Sequence, residues 1–203
     1  MLWSVTRSHL GLLVALTAIL SSARAAWAQQ AEMPVLLPKS DVAVIYRFDR
    51  AGLQDYHKWQ ITYGDGNQRV RFDYFRWVEA KYPFLTVIYD RPANRFITIH
   101  PENKTYSERP IGNAANPGGF LRADMSFTRL GTAVVAFATC TDWKVQEPGV
   151  NDEKDTACVT EDGIVLRILS SKPNVSTMTA TAIRYGAPPE GVFDPPAGFK
   201  LEP

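Results

Sequence analysis

Few side chains in this sequence are of a type that does chemistry, and their spacing decides what each can do. Two cysteines, Cys140 and Cys158, flank the polar run EPGVNDEKD. That run is too rich in Pro, Gly and Asn for anything but a loop, so reflection about Gly149 sets the cysteines opposite one another on a hairpin. Directly opposed residues on antiparallel strands lie about 4.5–5.5 Å apart at Cα, inside the span of a disulfide. A pair of buried free thiols is the plainer alternative, and the lack of a Cys-x-x-Cys motif argues against redox catalysis. His57 and His100 each stand alone on an alternating stretch, without a second His or Cys at ligand spacing, and read as hydrogen-bonded structural residues. Asp142, Glu147, Asp152, Glu153 and Asp155 lack the alternating oxygen order of a calcium loop and have Lys154 among them, so a solvated loop is expected. No Gly-x-Ser-x-Gly occurs, and Gly118-Gly119 leads to no phosphate-binding lysine. The glycosylation-type triplets at Asn103 and Asn174 carry no weight in a bacterial export setting. The sequence predicts no catalytic residue, no metal site and no cofactor.

What remains is an aromatic inventory: Tyr46, Phe48, Trp59, Tyr63, Phe72, Tyr74, Tyr89, Phe96, Phe137 and Trp143, all at alternating positions. Such residues are ordinary core, or they line an apolar cleft if too little else covers them. The stretches that must position them follow a leader. Arg7 and His9, an apolar run from Leu10 to Leu20 and the small-residue site Ala26-Trp27-Ala28 predict a signal peptide over 1–28, cut after Ala28, with an uncleaved anchor as the alternative. No cysteine follows that site to accept a lipid. Loss of Arg7 and Arg24 turns the formal charge of +1 into −1, no footprint for nucleic acid. Residues 29–203 suit one domain.

After an extended lead-in with Pro34 and Pro38, alternation marks strands at 41–50, 57–63 and 70–74, the last two joined by Gly64-Asp65-Gly66-Asn67. Further strands are expected at 84–90, 94–100 and 104–109. The run IGNAANPGG then breaks the meander, and Phe120, Leu121, Met125 and Leu130 have the spacing of one short amphipathic helix. From Gly131 one long strand is predicted through Cys140, with Ala133, Val135, Phe137, Trp143 and Val145 on one face and the disulfide on the other. Glu161-Asp162-Gly163 turns the chain into Ile164, Leu166 and Ile168, and a last long strand covers Val175 to Tyr185. The proline-rich tail, 186–203, is barred from a central strand. The expected class is mainly β (α+β), with at most one or two short helices.

The order of VIYRF, QRVRFDYF, VIYDRPANRFITIHPENKTYSERP, CTDWKV, ACVTEDGIVLR and the closing GVFDPPAGF resembles the exported LolA-like proteins of Gram-negative bacteria. More narrowly, it is similar to their relatives that carry a domain of unknown function. The resemblance spans nearly all of 29–203 and implies a strongly curved antiparallel sheet, an unclosed barrel, around helical segments and an apolar cavity. In the lipoprotein carrier and its outer-membrane receptor that cavity takes acyl chains. The chain departs from the carrier in its fewer helical stretches and its proline-rich end. The expectation is a non-enzymatic, soluble periplasmic protein whose concave aromatic face binds a hydrophobic ligand, a lipid or an acylated segment. The alternative is a cell-envelope protein–protein interaction module with a filled core, docking through a sheet edge or the tail.

Overall fold

A computed structural model of the chain describes residues 32–49, 57–112, 119–149, 155–171 and 177–202. The predicted leader, Asp152, Glu153 and Asn174 lie outside the described residues. The chain groups into Met1–Glu32 and Met33–Pro203, and the second unit carries the fold. Its strands are β1 Val42–Phe48, β2 Lys58–Gly64, β3 Arg69–Phe75, β4 Leu85–Asp90, β5 Arg95–His100, β6 Thr105–Pro110, β7 Ser126–Val135, β8 Ala138–Gln146, β9 Asp155–Val159, β10 Val165–Leu169, β11 Met178–Tyr185 and β12 Lys200–Leu201. They form one sheet in the order β12-β6-β5-β4-β3-β2-β1-β11-β10-β9-β8-β7. Neighbours are antiparallel except β12, which runs parallel to β6.

Two meanders, β1 to β6 and β7 to β11, are thus joined where β1 pairs with β11. Register shifts occur at Ile45/Tyr46, Arg129/Gly131 and Val165/Arg167, and such bulges increase local twist. β7, paired on one side only, comes within 8 Å of β11 at Cα. Residues from β1 to β3 share one buried cluster with Trp143, Val145, Ala157 and Met178 from β8, β9 and β11, so the sheet curls toward that face. The curved, unclosed antiparallel architecture is as expected.

The crossover from β6 to β7 carries the chain from one edge of the sheet to the other, and its described end lies over the concave face. Leu121 is buried there, and the Phe120 ring meets Tyr46 edge-on at 5.9 Å. This corrects the helix expected around 120–130: among the described residues no helix occurs, residues 120–125 are turn and bend, and β7 starts at Ser126. Phe120 and Leu121, adjacent in sequence, both reach the apolar cluster, which one helix stripe does not require.

The long strand expected from Gly131 is a second correction. The chain reverses at Ala136 and Phe137, both with left-handed φ of 50° and 64°, and Val135 pairs with Ala138. Two left-handed central residues make the twist of a tight hairpin. The disulfide Cys140–Cys158 is present, with Cα atoms 5.4 Å apart. Its register is shifted by two from the expected one: Cys158 stands opposite Asp142, so the bridge is diagonal across β8 and β9. It does lie on the face away from Trp143, beside Asp142, whose carboxylate accepts hydrogen bonds from Arg167 at 3.0 and 3.2 Å.

The lead-in packs across the β9–β10 turn. Lys39 N–H donates to the Asp162 carbonyl at 3.0 Å. Gly163 has φ of 91°, and a Cβ there would stand 2.8 Å from the Leu37 carbonyl carbon and from Val35 Cγ1, so only glycine lets the lead-in pass this close.

The tail also has a place. Its β12 is an edge strand, as proline content demanded, and Phe193 is buried on the convex face against Ile88, Ile97 and Ile99. Three arginines fix it. Arg71 Nη1 donates to the Val192 carbonyl at 2.8 Å, Arg69 covers the Phe193 ring at 4.8 Å, and Arg95 donates to the Asp194 carboxylate at 3.0 Å. Arg71 also grips Asp73 through two bonds of 2.8 Å, and Asp73 accepts from Thr86. The buried Asp73 carboxylate is therefore paired.

Candidate functional site

Antiparallel registers set Tyr46, Trp59, Tyr74 and Leu85 in one row across β1 to β4. Val44, Ile61, Phe72 and Val87 form the next row, and Val42, Tyr63, Val70, Tyr89 and Phe96 the third. Alternation thus brings eight of the ten expected aromatics, Tyr46, Phe48, Trp59, Tyr63, Phe72, Tyr74, Tyr89 and Phe96, onto the concave face.

Six of these rings form a ladder. Phe48 meets Trp59 at 4.5 Å, Trp59 meets Tyr74 at 5.3 Å, and Tyr74 stacks on Phe72 at 6.3 Å. Phe72 meets Tyr89 at 6.1 Å, Tyr89 meets Phe96 at 4.9 Å, and Arg109 on β6 caps Phe96 at 4.3 Å. Phe72 is buried, whereas Phe48, Trp59, Tyr74, Tyr89 and Phe96 are only half-buried, as are Leu85 and Val87 beside them. Edge-to-face pairs of this kind hold each ring in place and leave an apolar surface in reach of solvent.

The other two expected residues come from the second meander and are not part of these rows. Trp143 is core, packed on Phe127 at 6.5 Å. Phe137, expected inside, is at the β7–β8 hairpin tip and fully exposed, because the chain turns there. The wall of the interior is tied by Tyr46, whose hydroxyl donates to the Val165 carbonyl on β10 at 2.8 Å.

Burial pushes the Tyr46 and Tyr63 phenols well up, with Tyr63 adding to the effect on Tyr46. Burial also raises Tyr89, against the pull of Arg109. These phenols stay neutral at ordinary pH, so they add no charge to the face. A pH effect follows. Above about pH 10 the unfolded chain loses the Tyr46 and Tyr63 protons while the folded chain keeps them, so each costs stability at about 1.4 kcal/mol per pH unit until its folded pKa is reached. Circular dichroism from about pH 9 to 12 should show alkaline unfolding that is delayed in Tyr46→Phe/Tyr63→Phe, relative to that variant's own neutral stability. Ionisation of both phenols near pH 10 with the fold intact would contradict it.

His57 immediately precedes β2 and His100 ends β5, and among the described residues no three His, Cys, Asp or Glu side chains gather as a metal site would need. Two surface depressions went unforeseen. One, of about 380 Å³, lies on the convex side among Ala43, Ile45, Gln60, Ala182, Ile183 and Arg184. The other, of about 430 Å³, lies under the β3–β4 loop and is lined by Arg76, Trp77, Ala80, Tyr82, Pro83, Phe84, Pro101 and Glu102. Its sequence signal is the run RWVEAKYPF, where aromatics appear without strand alternation.

No family model matches the sequence, and no curated protein matches it. Solved structures do resemble the fold. An uncharacterised conserved protein from Thermus thermophilus aligns at TM-score 0.53 and 6% identity, over 81% of this chain and 90% of that one. MucB aligns at TM-score 0.54 and 12% identity, over 80% of this chain and 59% of its own. The Pseudomonas aeruginosa MucA/MucB complex structure aligns at TM-score 0.51 and 12% identity, over 79% of this chain and 57% of the matched one. The chain thus spans less than two thirds of the matched MucB chains, and at such identities the likeness is one of fold.

Proposed function

We propose that this chain is an exported, non-enzymatic binding protein whose concave aromatic ladder seats a hydrophobic group, a lipid acyl chain or an acylated segment. The observation that carries this reading is the continuous row of rings from Phe48 to Phe96, all half-buried except Phe72. A core residue gains by complete burial, whereas these rings keep apolar surface in reach of solvent on the concave side of a curved sheet, where a ligand sheds water as it binds. Export is supported by the leader pattern and by the disulfide, which suits an oxidising compartment such as the periplasm.

Oleate is the probe. Titration should change Trp59 fluorescence saturably in a Trp77→Phe/Trp143→Phe background, and Tyr89→Asp, which places a charge mid-ladder, should weaken binding by about tenfold or more. Protein purified from a bacterial periplasm should carry lipid visible by native mass spectrometry. Absence of both signals would remove the reading.

One observation favours a second reading, docking of an envelope protein. β7 ends the sheet, paired only with β8; Leu130 and Val134 along it are 58% and 70% exposed, and Phe137 in the turn that follows is 103% exposed. An apolar sheet edge of this kind is a template for strand addition. The similar fold of MucB occurs in a complex with MucA(peri). Val134→Lys should abolish such a complex and leave oleate binding intact.

A further inference from the structure

The groove under the β3–β4 loop is separate from the aromatic ladder and is built from different residues. Trp77 is 61% exposed and Tyr82 is 83% exposed, and both line it. Large rings left in solvent at one place are unusual on a protein surface and mark a contact. The floor is apolar, made of Ala80, Pro83, Phe84 and Pro101. At the rim the Arg76 guanidinium lies 4.9 Å over the Phe84 ring and donates to both carboxylate oxygens of Glu102, at 3.2 and 3.4 Å.

The loop is held in shape from below. The Lys58 ammonium on β2 donates to the carbonyls of Val78 at 2.8 Å and Ala80 at 2.6 Å, and rests 4.3 Å over the Phe75 ring. Phe84 N–H donates to the Tyr74 carbonyl at 2.9 Å, which closes the far end of the loop. Trp77 and Tyr82 therefore stand on a pinned loop, and ordering it on binding costs little.

The lining decides between occupants. The charged lining residues are Arg76 and Glu102, which pair with each other, so the lining carries no net charge to draw an anionic lipid headgroup or a polyanion. The lining nevertheless presents strong donors and acceptors: the paired Arg76 guanidinium and Glu102 carboxylate, the Trp77 indole N–H and the Tyr82 hydroxyl. An acyl chain entering here would take water from these groups and return no hydrogen bond. A sugar ring has one apolar C–H face for a Trp or Tyr platform and an equator of hydroxyls for a carboxylate–guanidinium pair. The volume of about 430 Å³ is within the usual range of small-ligand clefts, about 300–1,000 Å³. We infer that the groove formed by Trp77, Tyr82, Arg76 and Glu102 is a binding site for an uncharged saccharide chain.

The test uses the mature protein with two probes, the N-acetylglucosamine tetramer and maltohexaose, read by saturation-transfer NMR and by tryptophan fluorescence. At least one probe should bind saturably, with a dissociation constant of about 1 mM or tighter, as expected for a shallow stacking site. Trp77→Ala and Tyr82→Ala should each weaken it by about tenfold, and Glu102→Gln by several-fold, with the melting temperature unchanged because all three side chains are exposed. Oleate binding should be unaffected by these changes, which separates this site from the ladder. Silence of both probes at about ten millimolar, saccharide binding indifferent to Trp77→Ala, or Trp77-dependent binding to phosphatidylglycerol vesicles in place of sugars would each overturn the inference.

Discussion

Reduction of the Cys140–Cys158 bridge is expected to lower the melting temperature by roughly 6–12 °C. The two cysteines are 18 residues apart, and closing a loop of that size removes about 3 kcal/mol of unfolded-chain entropy on the loop-closure account. For a domain of this length each kcal/mol moves the midpoint by about 2–4 °C. Both sulfurs are enclosed, Cys140 being 2% and Cys158 0% exposed, so reductant must act through an unfolding and refolding cycle to reach them. The decisive comparison is Cys140→Ala/Cys158→Ala against the parent chain. The variant should melt like the reduced parent and ignore reductant. Oxidised and reduced parent melting within about 1 °C of each other would show that the bridge does not hold the β8–β9 pair together.

That bridge illustrates what the sequence displays and what it hides. Pairing of Cys140 with Cys158 is legible because a polar, Gly- and Pro-containing loop lies between them. The register is not, since centring on Gly149 misplaces it by two residues, and only the ladder of hydrogen bonds puts Asp142 opposite Cys158. Strands β1 to β5 are legible because apolar residues recur at every second position, whichever faces the structure then buries. The β7–β8 hairpin escapes detection because its turn is Ala136-Phe137, with neither Asn nor Gly to announce left-handed backbone. One hidden turn moves Phe137 from the expected cleft to the hairpin tip. The 120–130 stretch misleads in the opposite way. Leu121 and Met125 are four apart, which mimics a helix stripe, yet adjacent Phe120 and Leu121 both pack on the sheet. Contacts that cross more than a hundred residues, such as Arg71 to Val192 and Tyr46 to Val165, leave no local pattern at all. Trp77 and Tyr82 stay hidden for a related reason: periodicity finds strands, and loop residues have none.

The tail shows the largest consequence of such hidden contacts. Phe193→Ala should cost about 3–5 kcal/mol, the usual range for emptying a buried aromatic position, and the midpoint should fall by roughly 6–20 °C. Phe193 is 2% exposed and sits among Ile88, Ile97 and Ile99, which are 0%, 0% and 1% exposed. On its other side a Cβ placed on Gly64 would come within 2.7 Å of the ring, so strand β2 offers a bare backbone where the ring lies. Removing the ring leaves a cavity between a rigid strand and clamped arginines, with little able to collapse into it. The same geometry yields a stricter check. Gly64→Ala in the parent must displace the ring and should cost about 1–3 kcal/mol, whereas in Phe193→Ala the added methyl enters empty space and should cost far less. A non-additive cycle, with coupling of about 0.5–3 kcal/mol, is therefore expected from denaturant unfolding of the four proteins. Were the tail a free docking arm, Phe193→Ala would leave the midpoint where it was and the cycle would be additive, because ring and glycine would not meet. A loss of stability with coupling would instead make residues 186–202 a structural cover for the convex face, and would leave β7 as the edge through which a protein partner joins the sheet.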